Sequence, residues 1–195
     1  HGVYVGIGVG SYQGDVDENP TSEPMRFLGQ AKPRIEVGID HRRGEYDQFG
    51  FAARLSFDPI DGAADGWAGG PSIQFSANTL NLDFTADYEL PYVDQGFMRV
   101  FLGGGPSLII NPSYEGFPSS DRLSQENQDL FRPDLGTRVT GSLVWGVSFY
   151  DYVRIGFRTY PSDYVDGYGG YTNNDQDIWD FVGFISVGYR FDLKY

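Results

Sequence analysis

Apolar and polar side chains alternate along most of this chain. Val3, Val5, Ile7 and Val9 share one parity; Tyr4, Gly6, Gly8 and Gly10 share the other. A period of two is that of a β-strand, whose successive side chains point to opposite faces. The first strand is therefore expected over 2–12. The pattern returns over 34–40, where Ile35, Val37 and Ile39 oppose Arg34, Glu36, Gly38 and Asp40. It returns over 46–57, with Phe49, Phe51, Ala53, Leu55 and Phe57 against Gln48, Gly50, Ala52, Arg54 and Ser56. Ile73, Phe75 and Ala77 alternate too, as strand projecting beyond a bilayer would. The apolar parity then changes from odd to even. Leu80, Leu82, Phe84, Ala86 and Tyr88 oppose Asn81, Asp83, Thr85, Asp87 and Glu89, so a bulge or bend is expected near Thr79.

A fifth strand is expected over 96–110. There Met98, Val100 and Leu102 oppose Arg99, and Phe101 falls on the arginine's side. A sixth follows over 136–149, with Val139, Leu143, Trp145, Val147 and Phe149 against Arg138, Thr140, Ser142, Gly146 and Ser148. A seventh, over 152–160, sets Val153, Ile155 and Phe157 against Arg154, Gly156 and Arg158. The last runs over 181–195. One face is Ile185, Val187, Tyr189, Phe191, Leu193 and Tyr195; the other is Ser186, Gly188, Arg190, Asp192 and Lys194.

Between these eight segments the connections are alternately long (13–32, 58–78, 111–135, 161–178) and short (41–45, 91–95, 150–151). That rhythm suits an up-and-down antiparallel barrel with all long connections at one end. In a membrane barrel the short turns and both termini would be periplasmic, and the long connections external.

Composition is consistent with this. The 195 residues suffice for one domain, 1–195. No stretch approaches the roughly 20 apolar residues of a membrane helix, but half-apolar strands escape that test. Glycine (27), phenylalanine (15) and tyrosine (14) are abundant, as short strands with aromatic girdles require. There is no cysteine, which excludes disulfides, thiol nucleophiles and cysteine-zinc sites. A net charge of −13 argues against a nucleic-acid partner. The chain starts at His1 without a signal-like apolar core, as a mature exported product would.

The last strand carries a more specific signal. Ser186, Gly188, Tyr189, Phe191 and Leu193, with aromatic Tyr195 at the end, resemble the closing strand of bacterial outer-membrane β-barrels. The segment Gly188-Tyr189-Arg190-Phe191 looks like the close of OmpA-, OmpX- and OmpW-type barrels. Those chains often stop at the phenylalanine; this one runs on to Tyr195. The resemblance implies an eight-stranded transmembrane barrel in the Gram-negative outer membrane, monomeric and without a cofactor. Its partners would be outer-membrane lipid, lipopolysaccharide and the barrel-assembly machinery. It implies a non-enzymatic surface or envelope-integrity role. A narrow OmpW-like channel is the alternative, followed by a lipid A-modifying enzyme or a subunit of a larger envelope complex.

A soluble calycin-like barrel or β-sandwich would turn the apolar face inward and the charges outward. The charged face argues otherwise. It holds seven arginines (Arg34, Arg54, Arg99, Arg138, Arg154, Arg158, Arg190) and six carboxylates (Glu36, Asp40, Asp83, Asp87, Glu89, Asp192). A solvated face would mix in lysine; here, but for Lys194 in the last strand, every base is arginine, the side chain suited to bidentate carboxylate pairing. Confined in a narrow lumen, these groups would neutralise one another and plug it.

The charge excess lies in the long connections, which carry 16 acids and 4 bases. They are candidates for divalent-cation binding that bridges to lipopolysaccharide phosphates. Asp15, Asp17 and Asn19 have the opening of a calcium loop without its glycine and distal glutamate; Asp175 and Asp177 are weaker. No catalytic residue is assigned: His41 falls in an expected turn beside Arg42 and Arg43, with no triad partner placed near it. Tyr160 and Trp179 read as an interfacial belt. Tyr164, Tyr168 and Tyr171 could stack on sugars or meet a protein.

Overall fold

A computed structural model describes residues 1–13, 31–43, 48–64, 73–91, 97–115, 136–160 and 180–193. Eight antiparallel strands form a closed barrel in sequence order. They are β1 (Gly2–Gln13), β2 (Lys32–Arg43), β3 (Phe49–Ala64), β4 (Ile73–Glu89), β5 (Met98–Glu115), β6 (Arg138–Phe149), β7 (Val153–Tyr160) and β8 (Asp180–Asp192). β1 pairs with β8 from Gly2↔Asp192 to Gln13↔Phe181, so neither terminal strand is left with an open edge. Closure matters because backbone groups facing lipid have no water to bond.

The barrel is inside-out relative to a soluble one. Ile7, Leu102 and Val139 stand 68%, 65% and 66% exposed, while Arg34 and Arg158 are 1% and 0% exposed. Apolar side chains cover the outside of every strand, as only a lipid environment tolerates. The fold is thus an all-β transmembrane barrel of the outer-membrane type. At the end with the short connections, aromatic rings form a girdle. Phe49 packs on Tyr88 at 5.0 Å, Phe97 on Phe149 at 5.7 Å and Tyr150 at 5.1 Å, and Tyr189 on Tyr152 at 6.0 Å and Phe191 at 4.7 Å. Rings at that level straddle apolar and wet regions.

Three expectations need correction. The connection over 58–78 is mostly strand: β3 continues to Ala64 and β4 starts at Ile73. Likewise β5 continues into the expected loop, to Glu115. There is no break in β4 at Thr79. Its register with β3 is continuous from Phe49↔Tyr88 to Ala64↔Ile73, and Ala77 and Thr79 are both buried inside. What changes is the chemistry of the lumen, which turns apolar near the long connections with Ile60, Ala77 and Ile109. A bulge does exist, but on the neighbouring strand. Ser76 faces Ser113 while Asn78 faces Ile110, so the extra residue lies on β5, where Asn111 has φ 48°. Pro112 beside it could not have donated to a regular ladder.

The β6–β7 turn shows how the sequence sets the short end. Tyr150 and Asp151 take φ of 49° and 62°, and Tyr152 N–H donates to the Phe149 carbonyl at 3.0 Å. Two left-handed central residues match the twist of a tight hairpin.

Phe191, half exposed on the lipid face and paired with Val3 at the β1–β8 seam, tests the membrane assignment. An acid there costs up to a few kcal/mol and destroys the closing-strand pattern. Phe191→Asp should abolish insertion, read as loss of the heat-modifiable band on gels. A normal band would contradict the assignment.

Candidate functional site

The lumen is the one place where this barrel concentrates chemistry among the described residues. Its centre is Asp58, 1% exposed. Arg34 Nη1 donates to both its oxygens at 2.6 and 2.7 Å. Arg158 Nη1, Asn81 Nδ2 and Ser56 Oγ reach its Oδ2 at 2.8, 2.9 and 3.2 Å. These donors come from β2, β7, β4 and β3, so one carboxylate joins four strands across the lumen. Arg158 also donates to Asp83, and Tyr160 caps the cluster by donating to Asn81 Oδ1 at 3.1 Å.

A second cluster lies toward the short-turn end. Glu36 receives Arg154 Nη1 at 2.6 Å, Ser186 Oγ at 2.6 Å and Arg34 Nη2 at 3.2 Å. Arg34 thereby links Glu36 to Asp58. Beyond it, Arg99 binds Asp87 at 2.5 Å and Glu89 at 2.8 Å, and Arg190 forks onto Asp40 at 2.8 Å. Arg42 spans to Asp151 at 2.5 Å. At the opposite end Tyr12 donates to Asp180.

Apolar groups fill the space between the charges. Phe101, Val144 and Phe184 form a buried cluster inside the lumen. The Arg34 guanidinium lies 4.0 Å over Phe184, and Arg154 lies 4.4 Å over Phe101. Cations over ring faces gain from the ring quadrupole, more so when desolvated. These rings need glycine opposite them. A Cβ on Gly156 would come within 2.6 Å of Phe184 and 2.9 Å of Phe101.

The sequence-derived set is distributed as follows. Arg34, Glu36, Asp40, Asp83, Glu89, Arg99, Arg154 and Arg158 are buried inside. Asp87 and Arg190 join them at the short-turn mouth. Arg54 is half-buried in the lumen, and Arg138 sits across from Ile109 near the long-connection end. Asp192 lies at the mouth, its side chain 68% exposed, and pairs with Arg190. In the closing strand, Ser186 bonds Glu36, and Gly188 gives room to Tyr4, whose ring a Cβ would approach to 2.5 Å. Tyr189, Phe191 and Leu193 are exposed on the outside.

Tyr160 does not belong to an interfacial belt; it is fully buried in the lumen. His41 lies in β2 rather than in a turn, and its ring stacks on His1 at 4.4 Å with Nδ1 atoms 3.1 Å apart. Asp15, Asp17, Asn19, Asp175, Asp177, Tyr164, Tyr168, Tyr171, Trp179 and Tyr195 lie outside the described residues. Among the described residues no three metal-ligating side chains come together. Sequence reasoning missed Asp58, Phe184 and Val144. The signal for Asp58 was its even number, which continues the parity of Arg54 and Ser56.

No protein-family model and no curated protein matches the chain. Solved structures are similar to it. One is Ail, the attachment invasion locus protein of Yersinia pestis, in complex with the heparin analogue sucrose octasulfate. It has 10% identity, covers 97% of each chain and gives a TM-score of 0.46. Another is the outer membrane enzyme PagL, with 12% identity, 96% of this chain and 99% of that one, and a TM-score of 0.34. Likeness at this level assigns no role to any residue here.

The buried node can be tested directly. Asp58→Ala leaves Arg34 and Arg158 with fewer carboxylate oxygens in a desolvated site and should lower unfolding free energy by about 3–5 kcal/mol. Lys32→Ala removes the half-exposed pair with Asp61, and should cost under about 1 kcal/mol. Urea unfolding in detergent micelles measures both.

Proposed function

We propose that this chain is a non-enzymatic protein of the Gram-negative outer membrane whose lumen is plugged and whose work is done outside the barrel wall. The short turns face the periplasm, and the acidic long connections meet the outside. There they hold divalent cations or lipopolysaccharide and serve surface interaction or envelope integrity. One observation supports this reading above the others: the most deeply buried charges at the centre of the barrel, Arg34, Arg154 and Arg158 with Glu36, Asp58 and Asp83, are bonded to one another rather than left lining a path. Arg34, Arg154 and Arg158 are 1%, 3% and 0% exposed, with Glu36 and Asp58 at 1%. Phe101, Val144 and Phe184 form a buried apolar cluster beside them, with Arg154 over Phe101 and Arg34 over Phe184. Eight strands enclose an interior that side chains can fill. A path for hydrated solutes needs water against polar walls, and these walls are committed to each other.

The wild-type protein in a planar bilayer should therefore show no steady single-channel current. Arg154→Ala removes a guanidinium between Glu36 and the Phe101 ring. It should leave a void beside a freed carboxylate and give measurable cation-selective openings. Steady currents from the wild-type protein would replace this reading with that of a narrow channel for small solutes.

A further inference from the structure

The lipid-facing wall has a hollow in it. A groove of about 920 Å³ opens beside the short-turn end, bordered by Ile39, Phe51, Ala53, Phe84 and Ala86, with His1, His41 and Leu193 at the same place. That volume lies within the range of small-molecule sites, about 300–1,000 Å³. The register explains the hollow. Ala53 is flanked by Ile39 of β2 on one side and by Phe84 of β4 on the other, and Phe51 stands two residues before it on the same face. Ile39, Phe51 and Phe84 are each more than half exposed. Three large side chains thus ring a methyl group, so the wall is one side chain lower at Ala53 than around it. Ala86, opposite Phe51, extends the hollow toward the rim.

The rim end of the groove is polar. His41 pairs with Phe51, and the next outward-facing pair is Arg43 with Phe49, whose ring belongs to the aromatic girdle. The His41 imidazole therefore sits one step inside the girdle. The pairing of Gly2 with Asp40 brings His1 beside it, and the two exposed rings stack at 4.4 Å with Nδ1 atoms 3.1 Å apart. When one Nδ1–H donates to the other Nδ1, the accepting ring carries its own proton on Nε2 and keeps a donor there. Among the described residues that border the groove, the only acid is Asp40. It is buried on the lumen side and taken up by the fork of Arg190.

We propose that this groove binds one glycerophospholipid, with an acyl chain over Ala53 and the phosphodiester against His1 and His41. The wall at this level faces lipid, so the occupant is a lipid chain rather than water. A flexible chain fills a hollow between rings and regains the dispersion contacts that a void would forfeit. Phosphate oxygens accept from imidazole N–H groups, and a charged acceptor strengthens the bond. An aromatic girdle marks the level where headgroups begin, which is where the imidazoles stand. That the lipid belongs to the inner leaflet rests on the orientation proposed above, with the short turns in the periplasm; the binding itself does not.

The test uses the whole barrel in nanodiscs of phosphatidylglycerol mixed with digalactosyldiacylglycerol, a bilayer lipid without phosphate. Native mass spectrometry of the released protein should show one retained phosphatidylglycerol. Ala53→Trp fills the hollow and should lower that retention about tenfold, while Val139→Trp, on the outer face of β6, leaves it unchanged. Replacing both His1 and His41 with Ala should remove the preference for phosphatidylglycerol and leave one lipid of either kind. The heat-modifiable band shows that each variant is folded. Equal retention by wild type and Ala53→Trp would overturn the proposal. So would equal retention of the two lipids by the wild-type protein, or a graded series of lipids in which no single bound one stands out. Proteolysis of intact cells at the short turns would move the site to the outer leaflet without altering the retention result, so failure of the orientation and failure of the site are distinct.

Discussion

Buried guanidinium groups dominate the physics of this barrel. A charge taken from water into a narrow proteinaceous space costs several kcal/mol unless it finds a partner of opposite sign in good geometry. Arg34, Arg99 and Arg158 are at most 2% exposed. Each is therefore tied to carboxylates: Asp58 on β3 and Glu36 on its own strand for Arg34, Asp87 and Glu89 on β4 for Arg99, Asp83 on β4 and Asp58 on β3 for Arg158. The pairs of Arg158 cross the lumen and fix strands that share no backbone ladder. Arg158 on β7 and Asp58 on β3 lie on opposite walls, and only the side chains connect them.

The remaining lumen follows from that need. Long, flat guanidinium groups fit a barrel of eight strands only if neighbouring positions give up their side chains. Glycine does this at Gly38 beside Arg54 and at Gly2, where a Cβ would come within 2.6 Å of Arg190. Rings then fill what the charges leave, and Phe101 and Phe184 serve as platforms for Arg154 and Arg34. The outer face needs only apolar bulk at odd or even parity, with aromatic rings at the short-turn rim. Fold and lumen chemistry are thus two readings of one alternation.

That is why the architecture was legible in the sequence. Parity alone distinguishes Ile35, Val37 and Ile39 from Arg34, Glu36 and Asp40, and balanced charges made almost wholly of arginine and carboxylates mark the inner face. The limits of parity are equally specific. Asp58 hides in the run Asp-Pro-Ile-Asp-Gly, whose composition reads as loop although its numbering continues the strand. Phe184, Val144 and Tyr160 are apolar or aromatic on the inner face, and a rule that sends such residues to lipid misplaces them. The apparent change of parity at Thr79 has the same origin: Ala77 is apolar but faces inward. Which arginine pairs with which acid depends on side-chain reach across the lumen, and sequence spacing does not encode it.

The account stands on coupling between charges carried by different strands. A double-mutant cycle between Arg158 and Asp58 measures it, using Arg158→Met, Asp58→Asn and the double variant, each unfolded in micelles. Contacting buried charges should show a coupling energy above about 1 kcal/mol. Effects that add to within about 0.3–0.5 kcal/mol, as independent sites do, would show that the buried ion network does not hold this barrel together.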